Sequence, residues 1–329
     1  MKKLFNIVLA AILLFVSLSF SSCSNDKTAY DTLDIFALDT FIEIKINKSE
    51  NSKKILEECK KIIKDSELLF DRTEEKSELY TLNLSSEYTA SDRLAGIISR
   101  AQSISASTQG SFDITSGALS KLWSISDPDA PIPTQEQVDL ALSFVGYEKI
   151  TVDGSRVIKD DGVIIDLGGI AKGEIAQALF DYLVGVGVEY GVISLGGNVT
   201  VVGAKPNGQK FNISLKNPLG SGSVGYITLD GGYHISVAGG YERNKTVDGI
   251  TYHHIFDTST GYPADSDIAC VAVVSRDGMT ADALSTALFV MGSERAFAYC
   301  AENGILAIFI FDNGEIKQSE NFQFTFTEN

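Results

Sequence analysis

The sequence is poor in cysteine, and this excludes two structural classes. Only four cysteines occur among 329 residues, and no two of them have the Cys-x-x-Cys spacing. Cys23 lies close to the N-terminus. The other three, Cys59, Cys270 and Cys300, are an odd number at wide intervals. Such a pattern is neither a disulfide framework nor a zinc site. It favours buried thiols.

Basic side chains are also scarce. There are 27 lysines and arginines against 43 aspartates and glutamates, which gives a formal net charge of −16. Because a protein that binds nucleic acid needs basic patches to neutralise phosphates, this balance argues against a nucleic acid partner. With 44% hydrophobic residues and no low-complexity linker or repeat, the chain can bury a large core.

Long apolar runs are absent except at the N-terminus. Lys2 and Lys3 precede an apolar stretch over residues 4–20, which ends in small residues before Cys23. This order is typical of a signal peptide, and about 17 apolar residues are marginal for crossing a bilayer. The ending FSSC resembles a bacterial lipobox, whose cysteine is acylated.

These features predict a lipoprotein signal peptide over residues 1–22, a tether over 23–32 and a single catalytic domain over 33–329. Acylation of Cys23 would anchor the protein to the cell membrane on its extracytoplasmic side. Simple secretion and an uncleaved anchor are the alternatives. Removal of the two lysines at the N-terminus would change the formal net charge from −16 to −18.

Hydrophobic periodicity predicts both helices and strands. Alternation over residues 35–46 predicts strand structure, and Thr134 with Gln137 has the pattern of a capping box that opens a helix to about residue 144. Residues 149–158 read as a hairpin around Asp153-Gly154. Further helices are predicted over residues 52–69, 91–108, 175–184 and 279–300. Further strands are predicted over residues 190–195, 200–203, 211–215, 225–229, 268–274 and 305–311, with a closing strand after a turn at 312–314.

Since the strands cluster and the helices interrupt them irregularly, the pattern predicts an α+β fold. We expect mixed sheets with packed helices in two closely joined lobes, and not a regular βαβ winding.

Three glycine-rich segments are candidates for ligand binding: IDLGGIAKG at 165–173, SLGGN at 194–198 and VAGGYER at 237–243. In the first, a strand delivers Asp166 and two glycines allow a ligand to approach the backbone closely. Lys172 lies at the start of a helix, whose N-terminal amides favour phosphate. This combination suits the pyrophosphate of a nucleotide. A tight turn with a surface lysine is the plainer alternative, and the spacing is neither GxGxxG nor a P-loop.

A histidine offers acid–base chemistry. The chain has only three histidines, and His254 opens the segment HIFDTSTGYP at 254–263. A histidine beside Asp257 suits general acid–base catalysis. A structural histidine next to a strand is the alternative.

The segment MTADALSTALFVMG at 279–292 sets one carboxylate and one hydroxyl four residues apart in an apolar run. Residues four apart share a helix face, so Asp282 and Thr286 can direct two oxygens at one hard cation such as Mg²⁺. Alternatively, Asp282 caps the helix and Thr286 bonds to a carbonyl of its own helix. The spacing leaves both interpretations open.

Together, these segments resemble the ApbE-type FAD:protein FMN transferases, or flavin-trafficking lipoproteins. Further segments in the family's order are ALDT at 37–40, SELYTLN at 77–83, and GSFDITSG at 110–117 followed by LW at 122–123. The resemblance implies an α+β enzyme that binds FAD and Mg²⁺, transfers FMN to a threonine hydroxyl of an acceptor protein and releases AMP. Acceptors in the family are typically subunits of membrane redox complexes that carry a short threonine-containing motif.

The resemblance also implies roles for individual residues. Asp282 and Thr286 would bind the metal with main-chain oxygens of Gly169 and Ser285. From the chemistry of the residues we expect His254 or Asp282 to take the threonine proton, and the sequence does not decide between them. The implied cofactor-binding residues are Leu38, Trp123, Ser124, Ile125, Asp166, Lys172, His254 and Ile255.

Two features of the chain depart from the family. Ala238 and Gly240 stand where relatives have serine and aspartate, and Thr73 stands where many have an aromatic residue. Two other functions remain open on the sequence: a Mg²⁺-dependent FAD pyrophosphatase that gives FMN and AMP, and a flavin-binding lipoprotein without enzymatic activity.

Overall fold

The computed structural model describes residues 29–329. The predicted signal peptide, Cys23 and most of the predicted tether therefore lie outside the described residues. Within residues 29–329, no helix combines the length and the apolar character needed to span a bilayer.

Seven α-helices and eighteen strands make up the described chain, as the α+β prediction requires. The helices are α1 (Ser52–Phe70), α2 (Glu78–Asn83), α3 (Asp92–Ser107), α4 (Gly117–Trp123), α5 (Gln135–Leu142), α6 (Ala171–Gly185) and α7 (Gly278–Asn303), with a 3₁₀ turn at Tyr147–Lys149. The strands are β1 (Tyr30–Ala37), β2 (Thr40–Asn47), β3 (Glu87–Thr89), β4 (Ile150–Asp153), β5 (Arg156–Lys159), β6 (Tyr190–Leu195), β7 (Asn198–Gly203), β8 (Phe211–Lys216), β9 (Ser223–Leu229), β10 (Tyr233–Gly239), β11 (Asn244–Val247), β12 (Ile250–His253), β13 (Phe256–Asp257), β14 (Tyr262–Pro263), β15 (Ile268–Ser275), β16 (Leu306–Phe311), β17 (Ile316–Gln318) and β18 (Thr325–Glu328).

An eight-stranded sheet organises the molecule, with the strand order β1-β2-β6-β7-β10-β15-β16-β17. Each neighbouring pair in it is antiparallel. Since side chains alternate across a strand, Val271 and Val273 of β15 pack into the core shared with the helices, whereas Ala272 and Val274 pack into a second core. The second core lies against a three-stranded sheet of order β18-β9-β8. The main sheet is thus covered by helices on one face and by strands on the other.

Several predicted elements are confirmed, and one is corrected. The capping box forms as predicted, with Gln137 N–H donating to Thr134 Oγ1 and Thr134 N–H donating to Gln137 Oε1. The predicted strand at 35–46, however, is a hairpin whose turn residues are Leu38 and Asp39, with φ of 54° and 55°. A two-residue hairpin turn favours positive φ and usually carries glycine or asparagine. Because Leu38 and Asp39 are neither, the sequence gives no sign of the turn.

The three cysteines of the described chain behave as the sequence predicts. Cys59, Cys270 and Cys300 are unpaired and buried. Burial raises the pKa of each thiol to about 12, so these side chains stay protonated and act as apolar core residues.

A buried histidine makes stability depend on pH. His234 of β10 is 2% exposed, and its Nε2 has no hydrogen-bond partner within residues 29–329. Burial lowers the pKa of His234 to about 4, although Asp277 and Asp181 oppose this shift. The unfolded histidine is protonated near pH 6.5 and the native one only near pH 4. The unfolding free energy should therefore fall by about 3 kcal/mol as pH decreases from 7 to 4.

Urea unfolding of the parent and of His234→Gln at pH 7 and pH 4 measures this contribution. Carboxylates that titrate in the same range affect both proteins equally, so the difference between the two pH dependences isolates His234. The variant should lose less stability than the parent on acidification. Equal losses in the two proteins would contradict the prediction.

Candidate functional site

Asp282 lies inside helix α7 and does not cap it. The N-cap is Asp277, whose Oδ1 accepts a hydrogen bond from Thr280 N–H at 2.7 Å. Ser285 Oγ donates to the carbonyl oxygen of Asp282 at 2.8 Å, whereas Thr286 Oγ1 makes no hydrogen bond with any residue from 29 to 329. The alternative interpretation, a cap at Asp282 and a bond from Thr286 to its own helix, is therefore not what forms.

Three elements orient the Asp282 carboxylate, which belongs to a side chain only 4% exposed. Oδ1 accepts hydrogen bonds from Asn198 Nδ2 of β7 at 2.8 Å and from Ser236 Oγ of β10 at 2.9 Å. Oδ2 accepts one from Gly173 N–H of α6 at 2.8 Å. Ser236 Oγ also lies 2.7 Å from Asn198 Oδ1, and its one hydroxyl proton is shared between this oxygen and Asp282 Oδ1. These polar groups therefore form one network that fixes the carboxylate.

The charge of Asp282 has no salt-bridge partner in the part of the chain that the structure describes. Burial of an anion without a cation is costly even where hydrogen bonds satisfy its oxygens. Each carboxylate oxygen has lone pairs beyond those used in these hydrogen bonds. The site therefore suits a bound cation.

Glycines bring the backbone close to this helix face. A Cβ atom on Gly169 would lie 3.6 Å from Thr286 Oγ1 and 3.0 Å from the ring of Phe112. A Cβ atom on Gly173 would lie 2.7 Å from the Asp282 Cβ and 2.2 Å from the carbonyl oxygen of Gly278. The segment 165–173 thus packs against both predicted metal ligands, and glycine is what allows the approach.

Oxygen donors dominate this cluster. Within residues 29–329, no group of three or more His, Cys, Asp and Glu side chains is placed to hold a metal ion. A cation beside Asp282 would therefore be held by one carboxylate, the Thr286 hydroxyl and backbone carbonyls. A set of oxygen ligands of which most are uncharged fits a hard ion such as Mg²⁺, which keeps part of its water shell.

Two cations face the same region. Lys172, in the first turn of α6, and Arg243, just before β11, form no salt bridge or side-chain hydrogen bond within the described chain. Both act electrostatically on Glu242 and on His254. Sequence reasoning selected Lys172 but missed Arg243, although Arg243 ends the glycine-rich segment 237–243.

Glu242 lies over the glycine turn at 194–198, because a Cβ atom on Gly197 would lie 3.2 Å from Glu242 Oε1. Although Glu242 is an exposed residue as a whole, the atoms packed around its carboxyl group partly desolvate that group and raise the pKa of Glu242, and Asp282 adds to this effect. Lys172, Arg243 and Lys216 lower it. The carboxyls of Glu242 and Asp282 are therefore electrostatically coupled across the site.

His254 is held in one tautomer. Its Nδ1 lies 3.2 Å from the carbonyl oxygen of Arg243, and since a carbonyl only accepts, Nδ1 carries the proton and Nε2 has a free lone pair. Burial lowers the pKa of His254 to about 4, and the charges of Arg243 and Lys172 add to this shift, whereas the hydrogen bond to the Arg243 carbonyl opposes it. At pH 7 the imidazole is therefore neutral and able to accept a proton at Nε2.

Asp166 is paired. Its Oδ2 accepts from Arg72 Nε at 2.8 Å, and its Oδ1 accepts from Gly168 N–H at 2.9 Å. The carboxylate thus shapes the turn before α6 with its charge balanced by Arg72, a residue that sequence reasoning missed. Lys172, by contrast, has no salt-bridge partner among residues 29–329.

The remaining predicted cofactor residues lie in two places. Trp123 is fully buried, donates from Nε1 to the Gly261 carbonyl at 2.9 Å, and packs against the rings of Tyr252, Phe256 and Tyr262. Ser124 follows with a left-handed φ of 40°, and Ile125 and Ile255 are buried. Leu38 lies in the strained turn between β1 and β2, where its N–H donates to Glu67 Oε1 at 2.6 Å.

Comparison with known proteins places this geometry in context. Residues 38–309 match the profile of the ApbE family. The chain is 31% identical over 267 residues to the FAD:protein FMN transferase of Vibrio cholerae, covering 79% of this chain and 80% of that protein. Among solved structures, the ApbE protein of Thermotoga maritima aligns with a TM-score of 0.84 at 32% identity over 90% of this chain and 98% of that one. The flavin transferase ApbE from Vibrio cholerae aligns with a TM-score of 0.81 at 29% identity over the same shares.

Proposed function

The chain belongs to the ApbE family, and we propose that it is a Mg²⁺-dependent FAD:protein FMN transferase. It would move the FMN half of FAD onto a threonine hydroxyl of an acceptor protein and release AMP. The observation that carries this proposal is the arrangement of charge. A buried carboxylate, Asp282, shares one region with the cations Lys172 and Arg243 and with a neutral histidine, His254.

The proposed metal ligands are the side chains of Asp282 and Thr286 and main-chain oxygens of Gly169 and Ser285. Their fit rests on the oriented Asp282 carboxylate and on Thr286 Oγ1, which makes no hydrogen bond within residues 29–329 and lies beside Gly169. When bound, Mg²⁺ would neutralise the pyrophosphate oxygens and the charge that develops on departing AMP.

The protein's own cations would hold the dinucleotide. Phosphoryl transfer depends mainly on positioning and on charge stabilisation, and a chain with a net charge of −16 needs local positive groups to bind a pyrophosphate. Lys172 at the α6 N-terminus and Arg243 beside His254 supply this charge. The Ser124 and Ile125 loop, Leu38 and Ile255 would contact the rest of FAD.

In the transfer, the threonine oxygen bonds to the phosphorus of the FMN half, and the bond from that phosphorus to the bridging oxygen breaks. The bonding electrons leave with AMP, and the hydroxyl proton passes to a base. His254 suits this role because its Nε2 has a free lone pair, whereas the remaining lone pairs of the Asp282 carboxylate are proposed to bind Mg²⁺. A bound pyrophosphate would offset the field of Lys172 and Arg243 and so raise the pKa of His254.

We further propose that the enzyme is lipid-anchored through Cys23 and acts outside the cytoplasm on membrane redox complex subunits. The pattern of residues 1–23 supports the anchor. Labelling of cells with a radioactive fatty acid tests it, since the parent should take up label and Cys23→Ser should not.

One set of incubations tests the proposed activity. The protein lacking residues 1–23 is mixed with FAD, with or without Mg²⁺ and with or without a threonine-containing acceptor, and AMP, FMN and flavin-labelled acceptor are separated. A transferase gives AMP and fluorescent acceptor only when Mg²⁺ and acceptor are both present. A pyrophosphatase gives FMN and AMP without acceptor, and a binding protein gives neither.

A further inference from the structure

A buried lysine joins two parts of the proposed FAD site. Lys245 of β11 is 6% exposed, and its Nζ donates hydrogen bonds to the carbonyl oxygens of Trp123 at 2.9 Å and of Ala130 at 3.1 Å. It forms no salt bridge with another described residue. A buried ammonium group is costly unless it is hydrogen-bonded. Within the described chain, the carbonyls of Trp123 and Ala130 provide those hydrogen bonds.

The two carbonyls lie at the ends of one loop. Between them, Ser124 has a left-handed φ of 40°, and short turns bring Asp127 N–H to the Ser124 carbonyl at 2.9 Å and Ala130 N–H to the Asp127 carbonyl at 3.2 Å. The side chain of Lys245 thus ties together both ends of the Trp123 to Ala130 loop, which carries Ser124 and Ile125.

The same lysine belongs to the hairpin that carries the proton acceptor. Lys245 pairs with Tyr252 across β11 and β12, and the Tyr252 ring packs 5.4 Å from that of Trp123. Arg243 precedes this hairpin and His254 follows it, joined by the His254 N–H donating to the Arg243 carbonyl at 3.2 Å. Lys245 therefore fixes the loop relative to Arg243 and His254.

We propose that Lys245 is a positioning residue, which sets the distance between the FAD-contacting loop and the pyrophosphate end of the site. The inference rests on the proposed function. An apolar side chain of similar length would fill the space but would leave the buried Trp123 carbonyl and the partly buried Ala130 carbonyl without this donor. The loop would then move, and FAD would bind more weakly.

The test compares Lys245→Met and Lys245→Arg with the parent. Methionine keeps the length and removes the charge, whereas arginine keeps the charge and the donors. Lys245→Met should raise the KM and the dissociation constant for FAD at least about tenfold, because small displacements at a site have large effects. Its kcat should change less. Lys245→Arg should recover most of the affinity.

The loop itself can be followed by fluorescence, since Trp123 is the only tryptophan in the chain. In Lys245→Met, the emission of Trp123 should shift to the red, and acrylamide should quench it more strongly because the indole ring is more accessible. Lys159→Met is a matched control, because Lys159 is also 6% exposed and donates to two carbonyls, those of Asn83 and Val163. This control should leave the Trp123 emission unchanged.

A folded Lys245→Met protein with parental FAD affinity would overturn the inference. Should that variant fail to fold, Lys245→Gln, which keeps one neutral donor, decides by the same measurements. Simple destabilisation would lower the active fraction, and hence the apparent kcat, without a change in KM. The FAD dissociation constant needs no turnover, so a parent that binds FAD but transfers no flavin would refute the proposed function and still leave Lys245 testable.

Discussion

Replacement of Asp282 by asparagine should slow acceptor-dependent AMP release by about 10²- to 10³-fold, the range for loss of one preorganised electrostatic group. Asparagine keeps the shape of the side chain but removes its charge, which is the one carboxylate in the proposed metal set. It also turns an amide N–H₂ toward groups that donate to Asp282, namely Gly173 N–H or the Asn198 and Ser236 side chains. A modest loss of stability should therefore accompany the loss of activity.

Asp277→Asn is the matched control for this variant. Asp277 lies on the same helix, where its carboxylate caps the N-terminus, and asparagine is also a good N-cap. This control should keep Mg²⁺-dependent activity near the parental value. Circular dichroism and thermal melting confirm that both variants are folded. An Asp282→Asn protein that is folded and fully active would exclude Asp282 from the chemistry.

Replacement of His254 by glutamine should lower the rate of transfer by about 10²- to 10⁴-fold, as expected when a general base is lost. Glutamine can still donate to the Arg243 carbonyl in place of Nδ1. The hydrogen bond that joins residue 254 to Arg243 is therefore kept, while the proton-accepting Nε2 is removed. In the parent, protonation of His254 at low pH should also abolish transfer. This acid limb should lie near pH 4 for the free enzyme and at higher pH once bound FAD offsets the charges of Lys172 and Arg243.

The pH dependence of single-turnover transfer measures this effect, with His253→Gln as the neighbouring control. The ring of His253 lies 3.0 Å from the Ala264 carbonyl through Nε2 and packs against Phe289, which is a structural role. The control should keep the parental acid limb, and His254→Gln should lose it together with most of its rate. If both variants transferred flavin at the parental rate, neither histidine would be the base.

Local signals were enough to predict much of the fold. The capping box at Thr134 and the helical spacing of residues 52–69 describe interactions within a few residues, and the structure has α5 and α1 there. Strand β10, by contrast, was not predicted. Its sequence, YHISVAG, is flanked by glycines at both ends, although it lies inside the main sheet between β7 and β15.

The site was predictable only in part, because some of its contacts are local in the chain and others join distant residues. The four-residue spacing of Asp282 and Thr286 is a local signal, and so is the glycine turn before Lys172. The partners of Asp282 are not local: Asn198 is 84 residues away in the chain and Gly173 is 109 away. Arg72 is likewise 94 residues from Asp166. One sequence does not reveal such pairs, because the fold alone brings them together.

The proposed metal site can be tested most directly with Thr286→Val, measured as the Mg²⁺ concentration dependence of AMP release. Valine has nearly the same shape and replaces the hydroxyl with a methyl group. Because that hydroxyl makes no hydrogen bond with residues 29–329, the thermal midpoint should stay within a few degrees of the parental value. The half-saturating Mg²⁺ concentration should rise about 10- to 100-fold, since even an outer partner of a metal site has effects of this size. High Mg²⁺ should restore much of the rate. A folded Thr286→Val protein with the parental Mg²⁺ dependence would contradict a cation held between Asp282 and Thr286.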